Sequence, residues 1–301
     1  MDLRTTVTGI EFTNPLLLAS GVLNETGASM ARSVRERCGG VVTKSMSAEP
    51  RYGHPNPTVI EVEGGLMNAM GLPGPGMAHF KADELPAAFA AGAKIIGSVF
   101  GSDAAMYADM AVAMEDAGVH GIELNVSCPH AKGFGSELGS DPAVLHGVVA
   151  AVKDAVSLPV WTKLTPNTDN IVRLAKAAED AGTDAVVATN TLKAMAIEPD
   201  LRRPIIGNKV GGLSGKALKP VSLRAVWDLY PQLDIPIIAS GGIYNARDVL
   251  EYAMAGASAF QVGTAVMHEG WGVFGAIEDD LAAWLDGEQC TLEDVRGAAQ
   301  N

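Results

Sequence analysis

An amide, a hydroxyl, a thiol and an imidazole fall within six residues of one another, at Asn125, Ser127, Cys128 and His130. A thiol among polar neighbours is a candidate base or nucleophile. Its unperturbed pKa of ~8.5 leaves a few per cent as thiolate at neutral pH. Ile122, Leu124 and Val126 precede it as a strand, which Pro129 stops because it has no N–H to donate. A glycine-rich segment over residues 133–139 follows, with the composition of a loop that opens and closes. A free cysteine is more often a small buried hydrophobe, so the elements around this cluster must decide between the two readings.

Eight apolar runs of strand length cross the chain, at residues 15–21, 40–45, 94–99, 121–126, 159–164, 185–190, 236–241 and 259–264. Most are continuous rather than alternating, as parallel strands buried on both faces must be. Helical patterns separate the later ones. In residues 170–180, Ile171, Leu174, Ala175 and Ala178 share a face. Ala-Gly pairs at 91–92, 117–118, 181–182 and 255–256 each end a helical pattern shortly before a strand, where glycine suits a left-handed cap. These features predict an α/β fold, a (β/α)₈ barrel, as one domain over residues 1–301. Two long segments, 46–76 and 192–220, break the alternation, and segments of that length carry function or short strands of their own. The tail from Asp286 reads as a surface segment ending in a short helix, with Cys290 incidental.

Twenty-two basic against thirty-five acidic residues give a net charge of −13 over 301 residues, 48% of them hydrophobic. That balance argues against a nucleic-acid surface, which needs a basic stripe. Three separated cysteines, Cys38, Cys128 and Cys290, argue against a disulfide framework and against a zinc or iron–sulfur site; no metal is expected. No signal region or membrane-length apolar run is present, so a cytoplasmic protein is expected.

Barrel active sites lie at the carboxyl ends of the strands. Those ends carry Ser20 and Gly21, Lys44 and Ser45, Ser98, Asn125 and Cys128, Lys163, Asn190 and Thr191, Gly241 and Gly242, and Gly263 and Thr264. Two lysines, two asparagines and several hydroxyls, without an Asp or Glu, suit an anionic ligand rich in carbonyl or amide groups. The set lacks the carboxylates for magnesium or glycoside hydrolysis. Residues 211–215, Gly241-Gly242 and Gly263-Thr264 are glycines where barrels hold a phosphate. No GxGxxG follows a strand, and one phosphate site plus a lysine near a ring suggests FMN.

Taken together these pieces resemble the class 1 dihydroorotate dehydrogenases, most closely the class 1B catalytic subunit, over nearly the whole chain. The matching stretches are Ala19-Ser20-Gly21, Lys44-Ser45, Met67-Asn68-Ala69-Met70-Gly71-Leu72, Leu124-Asn125-Val126-Ser127-Cys128-Pro129 and residues 163–167, 189–192, 211–215 and 262–265. The resemblance implies oxidation of (S)-dihydroorotate to orotate in pyrimidine biosynthesis. Cys128 would take the C5 proton, and N5 of FMN would accept the C6 hydride. Lys44, Asn68, Asn125, Asn190 and Thr191 would bind substrate, with Ala69, Met70, Gly71 and Leu72 lending their backbone. Ser20, Gly21, Lys44, Ser45, Ser98, Asn125, Lys163, Thr189, Gly215, Gly241, Gly242, Gly263 and Thr264 would hold FMN. Lys163 would stand at the N1–C2=O edge, where its charge stabilises the reduced ring.

The same resemblance implies a partner subunit carrying FAD and a [2Fe–2S] cluster, which passes electrons to NAD⁺, in a heterotetramer built on a homodimer. A class 1A enzyme would instead work alone with fumarate. Two positions depart from the pattern: His130 stands where many class 1 members have a substrate-contacting asparagine, and Ser98 where relatives often have a flavin-contacting one. Ser127-Cys128-Pro129-His130 also resembles the dihydropyrimidine dehydrogenases, but their catalytic cysteine aligns with Leu138. A tRNA-uridine-reducing flavoprotein shares the barrel yet conflicts with the acidic charge, and nothing favours an FMN-binding module without turnover.

Overall fold

The apolar runs close on one another as a ring. The computed structural model describes residues 2–21, 23–126 and 139–300. The chain opens with a hairpin of β1 (Thr5–Val7) and β2 (Ile10–Phe12), then enters the barrel with β3 (Leu16–Leu18) and β4 (Gly40–Val42). β5 (Val59–Val62) and β6 (Gly65–Asn68) lie outside it. β7 (Ile95–Val99), β8 (Gly121–Asn125), β9 (Val160–Lys163) and β10 (Ala185–Ala188) continue the ring. Four short strands intervene, β11 (Leu192–Ala194), β12 (Ile197–Glu198), β13 (Arg203–Pro204) and β14 (Gly211–Ser214), before β15 (Ile237–Ser240) and β16 (Ala259–Val262) complete it. The order β3-β4-β7-β8-β9-β10-β15-β16 closes back on β3 with every pairing parallel. All eight barrel strands fall inside the eight runs read from the sequence.

Local chemistry explains the alternation. Helix Ile171–Asp180 buries Leu174, Ala175 and Ala178 and is capped by Asn170, whose side chain accepts the Arg173 N–H. Gly92, Gly118, Gly182 and Gly256 take φ of 79°, 83°, 90° and 123°. Each ends its helix in a conformation that costs a side-chain-bearing residue ~1–2 kcal/mol.

Inside the ring, Leu17, Val42, Ile96, Trp161, Val187 and Ile238 pack with Val7, Ile10 and Phe12 of the β1–β2 hairpin, which fills the amino-terminal end. The Trp161 indole N–H finds its acceptor in Thr8 Oγ1 at 2.9 Å. The two long segments meet in one antiparallel sheet, β11-β14-β6-β5, which pairs Gly212 with Asn68 and Leu192 with Leu213. They carry strands of their own, as their length suggested.

The tail is more structured than the sequence suggests. Helix Val273–Glu288 runs beyond Asp286, and Leu292–Val295 forms a further turn. Gly297 N–H donates to Ala253 O at 2.9 Å, and Gln300 Nε2 to Trp227 O and Ala255 O at 2.9 and 3.1 Å. Among the described residues no helix is long and apolar enough to cross a membrane.

Candidate active site

One cavity opens at the carboxyl ends of the barrel strands, roofed in part by the β5–β6 and β11–β14 insertions. It is lined by Ser20, Gly21, Lys44, Ser45, Asn68, Met70, Gly71, Leu72, Asn125, Lys163, Thr189, Asn190, Thr191, Gly215, Gly241, Gly242, Gly263 and Thr264. Residues drawn from seven of the eight barrel-strand ends and from two distant insertions therefore share a single basin.

Its polar side chains are held by one another. The Ser45 and Ser98 hydroxyls share a hydrogen bond of 2.8 Å, and Asn125 Nδ2 donates to Ser45 Oγ at 2.9 Å. Asn190 Nδ2 donates to Asn125 Oδ1 at 3.2 Å, and Asn190 Oδ1 accepts the Thr191 N–H at 2.8 Å. This chain links β7, the segment after β4, β8 and the segment after β10, so each amide is oriented before any ligand arrives. Asn68 joins from the insertion side, where its Nδ2 donates to Gly212 O at 3.3 Å.

The opposite end of the cavity is built of glycine backbone. Gly215, Gly241 and Gly242 have φ of 94°, 133° and 68°. A Cβ at Gly242 would meet Lys219 Cβ at 2.6 Å and Gly215 O at 2.7 Å, and one at Gly215 would meet Gly65 Cα at 2.7 Å. Phenols brace this end. Tyr252 donates to Gly241 O at 2.6 Å, and burial pushes its phenol up, so it stays a neutral donor. Burial, reinforced by the carboxylates of Glu269 and Asp248, pushes Tyr244 up to about 12, and its hydroxyl shares a 2.9 Å hydrogen bond with His268 Nδ1. Thr264 Oγ1 donates to Ser214 Oγ at 2.8 Å, joining the eighth barrel strand to β14.

Not every residue expected at the site lines the cavity, and one unexpected carboxylate does. Ser98 is fully buried behind Ser45 and does not line the cavity; it orients Ser45 instead. Ala69 is also away from the cavity, buried with Met67 and Ile206 beneath the inserted sheet. Gly211 and Gly212 are paired in β14, which leaves Gly215 as that segment's cavity-lining glycine. The expectation that no carboxylate reaches the basin fails at Glu123, which sits at its inner end with Gln261. Both lie at inward positions of otherwise apolar strands. A polar residue breaking the apolar run at a period-two position was the signal for each. Also missing from the sequence reading were Asn24 and Ser222. Asn24 is buried, donates to Ala19 O at 2.7 Å and to Val42 O, and accepts from Gly21 N. Ser222 backs Thr189 with a 2.7 Å hydrogen bond. Ser127, Cys128, His130 and Leu138 lie outside the described residues.

Residues 2–285 match the family described as dihydroorotate dehydrogenase. The chain belongs to that family. Three of its most similar relatives carry the name dihydroorotate dehydrogenase B (NAD(+)), catalytic subunit. They come from Methanocaldococcus jannaschii (46% identical, covering 99% of this chain and 98% of the relative), Thermococcus kodakarensis (48%, 99% and 98%) and Pyrococcus furiosus (48%, 100% and 99%). Family membership fits the barrel and the amide-lined end of the cavity alike.

Proposed function

We propose that the chain is an FMN-dependent dihydroorotate dehydrogenase that oxidises (S)-dihydroorotate to orotate in pyrimidine biosynthesis, and that it is the catalytic subunit of an NAD⁺-linked assembly. The observation that carries this reading is the pairing, in one cavity, of a preset amide array with a glycine cradle. Asn68, Asn125, Asn190 and Thr191 present neutral donors and acceptors suited to a cyclic imide, with Lys44 beside them for negative charge. Buried amides left unmatched by a wrong ligand cost ~1–3 kcal/mol each, which gives the site its selectivity.

The residues at the other end fit a flavin mononucleotide. Gly215, Gly241, Gly242, Gly263 and Thr264 form a concave backbone surface in which a Cβ at Gly215, Gly241 or Gly242 would collide with neighbouring atoms. Such a surface suits a phosphate approached by main chain. Ser20, Ser45, Thr189 and Lys163 line the same cavity and would hold the ring system. When bound, FMN supplies the two-electron acceptor for the hydride that leaves C6. Cys128 would take the C5 proton, and Asn125 and Asn190, oriented by their mutual hydrogen bond, would hold the substrate ring. A partner subunit carrying FAD and a [2Fe–2S] cluster would supply the route for electrons to NAD⁺, in a heterotetramer built on a homodimer.

The test is anaerobic. The purified chain is loaded with FMN and mixed with dihydroorotate while oxidised-flavin absorbance is followed. Rapid bleaching that is lost in Cys128→Ala supports both substrate and base. Bleaching by dihydrouracil but not dihydroorotate overturns the substrate, and makes His130 the residue to examine.

A further inference from the structure

Between the apolar floor of the barrel and the cavity lies a thin polar layer of which the proposed chemistry uses only Lys163. Glu123 of β8 is fully buried, and Gln261 of β16 and Lys163 of β9 are almost so. Lys163 Nζ donates to Gln261 Oε1 at 2.6 Å, and Gln261 Nε2 donates to Glu123 Oε2 at 2.5 Å. Glu123 Oε1 stands 3.5 Å from Lys163 Nζ and has no hydrogen-bond partner. All three residues line the inner end of the cavity. Trp161, on the same β9 face as Lys163 and paired with Glu123 across the sheet, belongs to the apolar floor below.

A buried carboxylate with an orphaned oxygen is a poor way to stabilise a barrel, since a well-packed apolar residue does at least as well. Its placement matters for charge. Without Glu123, the Lys163 cation would act on a bound ligand unopposed. With Glu123 linked to it both directly and through Gln261, the layer carries close to zero net charge while the ammonium keeps a fixed orientation. Accordingly, and resting on the reading of this cavity as a flavin site, we infer that Glu123 is a positioning residue. It fixes Lys163 through Gln261 and lowers the electron affinity of the bound flavin by offsetting the lysine's charge. Negative charge gathers on the ring as two electrons enter it, so removing Glu123's charge favours the reduced form.

The experiment is a dithionite titration of FMN-loaded protein against a reference dye, together with FMN dissociation constants for the wild type and Glu123→Gln. Glu123→Gln keeps the shape and removes the charge. Its ratio of reduced- to oxidised-flavin affinity should rise at least tenfold, which is an upward shift of about 30 mV for a two-electron couple. Gln261→Met, which breaks the link but leaves the carboxylate, should move the potential the same way by a smaller amount. It also serves if Glu123→Gln does not fold. A potential unchanged in whichever variants bind FMN, or a failure of both variants to fold, would mean that the layer is merely structural and overturns the inference. Failure of the wild type to bind FMN would instead overturn the flavin reading itself, so the two are separable.

Discussion

Asn125 is the joint on which the amide array turns, and its removal has a calculable effect. Asn125→Ala deletes the donor to Ser45 Oγ (2.9 Å) and the acceptor for Asn190 Nδ2 (3.2 Å). At ~0.5–1.5 kcal/mol per neutral hydrogen bond, stability should fall by ~1–3 kcal/mol. Catalysis should suffer more, because the variant loses its own substrate contact and also frees Asn190 to rotate. A combined loss of ~2–4 kcal/mol corresponds to a roughly 30- to 900-fold lower second-order rate of flavin bleaching by dihydroorotate. Asn190→Ala should cost ~1–3 kcal/mol by itself. Since part of each loss is the same broken pair, the double variant should lose at least ~0.5 kcal/mol less than the sum. Anaerobic stopped-flow on the four proteins measures all of these terms. Additivity within ~0.3 kcal/mol would show that the two amides act independently and would refute the linked array.

The glycine cradle and the thiols can be tested in the same way. Gly242→Ala places a methyl 2.6 Å from Lys219 Cβ at φ 68°. Strain and overpacking of ~2–4 kcal/mol should lower the melting temperature and weaken FMN binding at least tenfold, as a fluorescence-quenching titration would report; unchanged affinity would remove the glycine cradle from the argument. Cys38 is fully buried, and burial raises its thiol from an ordinary 9.0 to about 12. The folded state thus favours the protonated thiol, so its contribution is complete below pH 9 and is lost as pH rises toward 12. Denaturant unfolding across that window should decline more steeply for the wild type than for Cys38→Ala, and parallel curves would contradict the assignment. Finally, the anaerobic bleaching rate should climb with pH toward the thiol value of ~8.5, and a flat profile would count against Cys128 as the base.

Much of this protein is legible in its residues because two strong regularities govern it. A parallel strand buried on both faces is mostly apolar, so all eight barrel strands show as apolar runs in the sequence. A helix ending before such a strand needs a left-handed residue, so Gly92, Gly118, Gly182 and Gly256 mark the repeat. Once the barrel is known, its strand ends name Lys44, Asn125, Lys163, Asn190 and the glycines in advance, because chain direction fixes which end of each strand meets the cavity.

Tertiary structure decided what sequence spacing does not carry. That Asn68 shares a cavity with Asn190, or that Ser214 stands beside Thr264, depends on the joining of the 46–76 and 192–220 insertions into one sheet, an antiparallel pairing between segments 144 residues apart at Asn68 and Gly212. Ser98 shows the same limit. It sits on the inward face of its strand, in register with Glu123, but it is fully buried and hydrogen-bonded to Ser45, and it does not line the cavity. Glu123 and Gln261 read locally as polar interruptions of apolar strands, and only closure of the ring brings β8 and β16 across from each other so that Gln261 links Glu123 to Lys163. Side-chain type and local period are properties of the chain. Which charges share a buried layer is a property of the closed barrel, because it is set by distances between residues the chain keeps far apart.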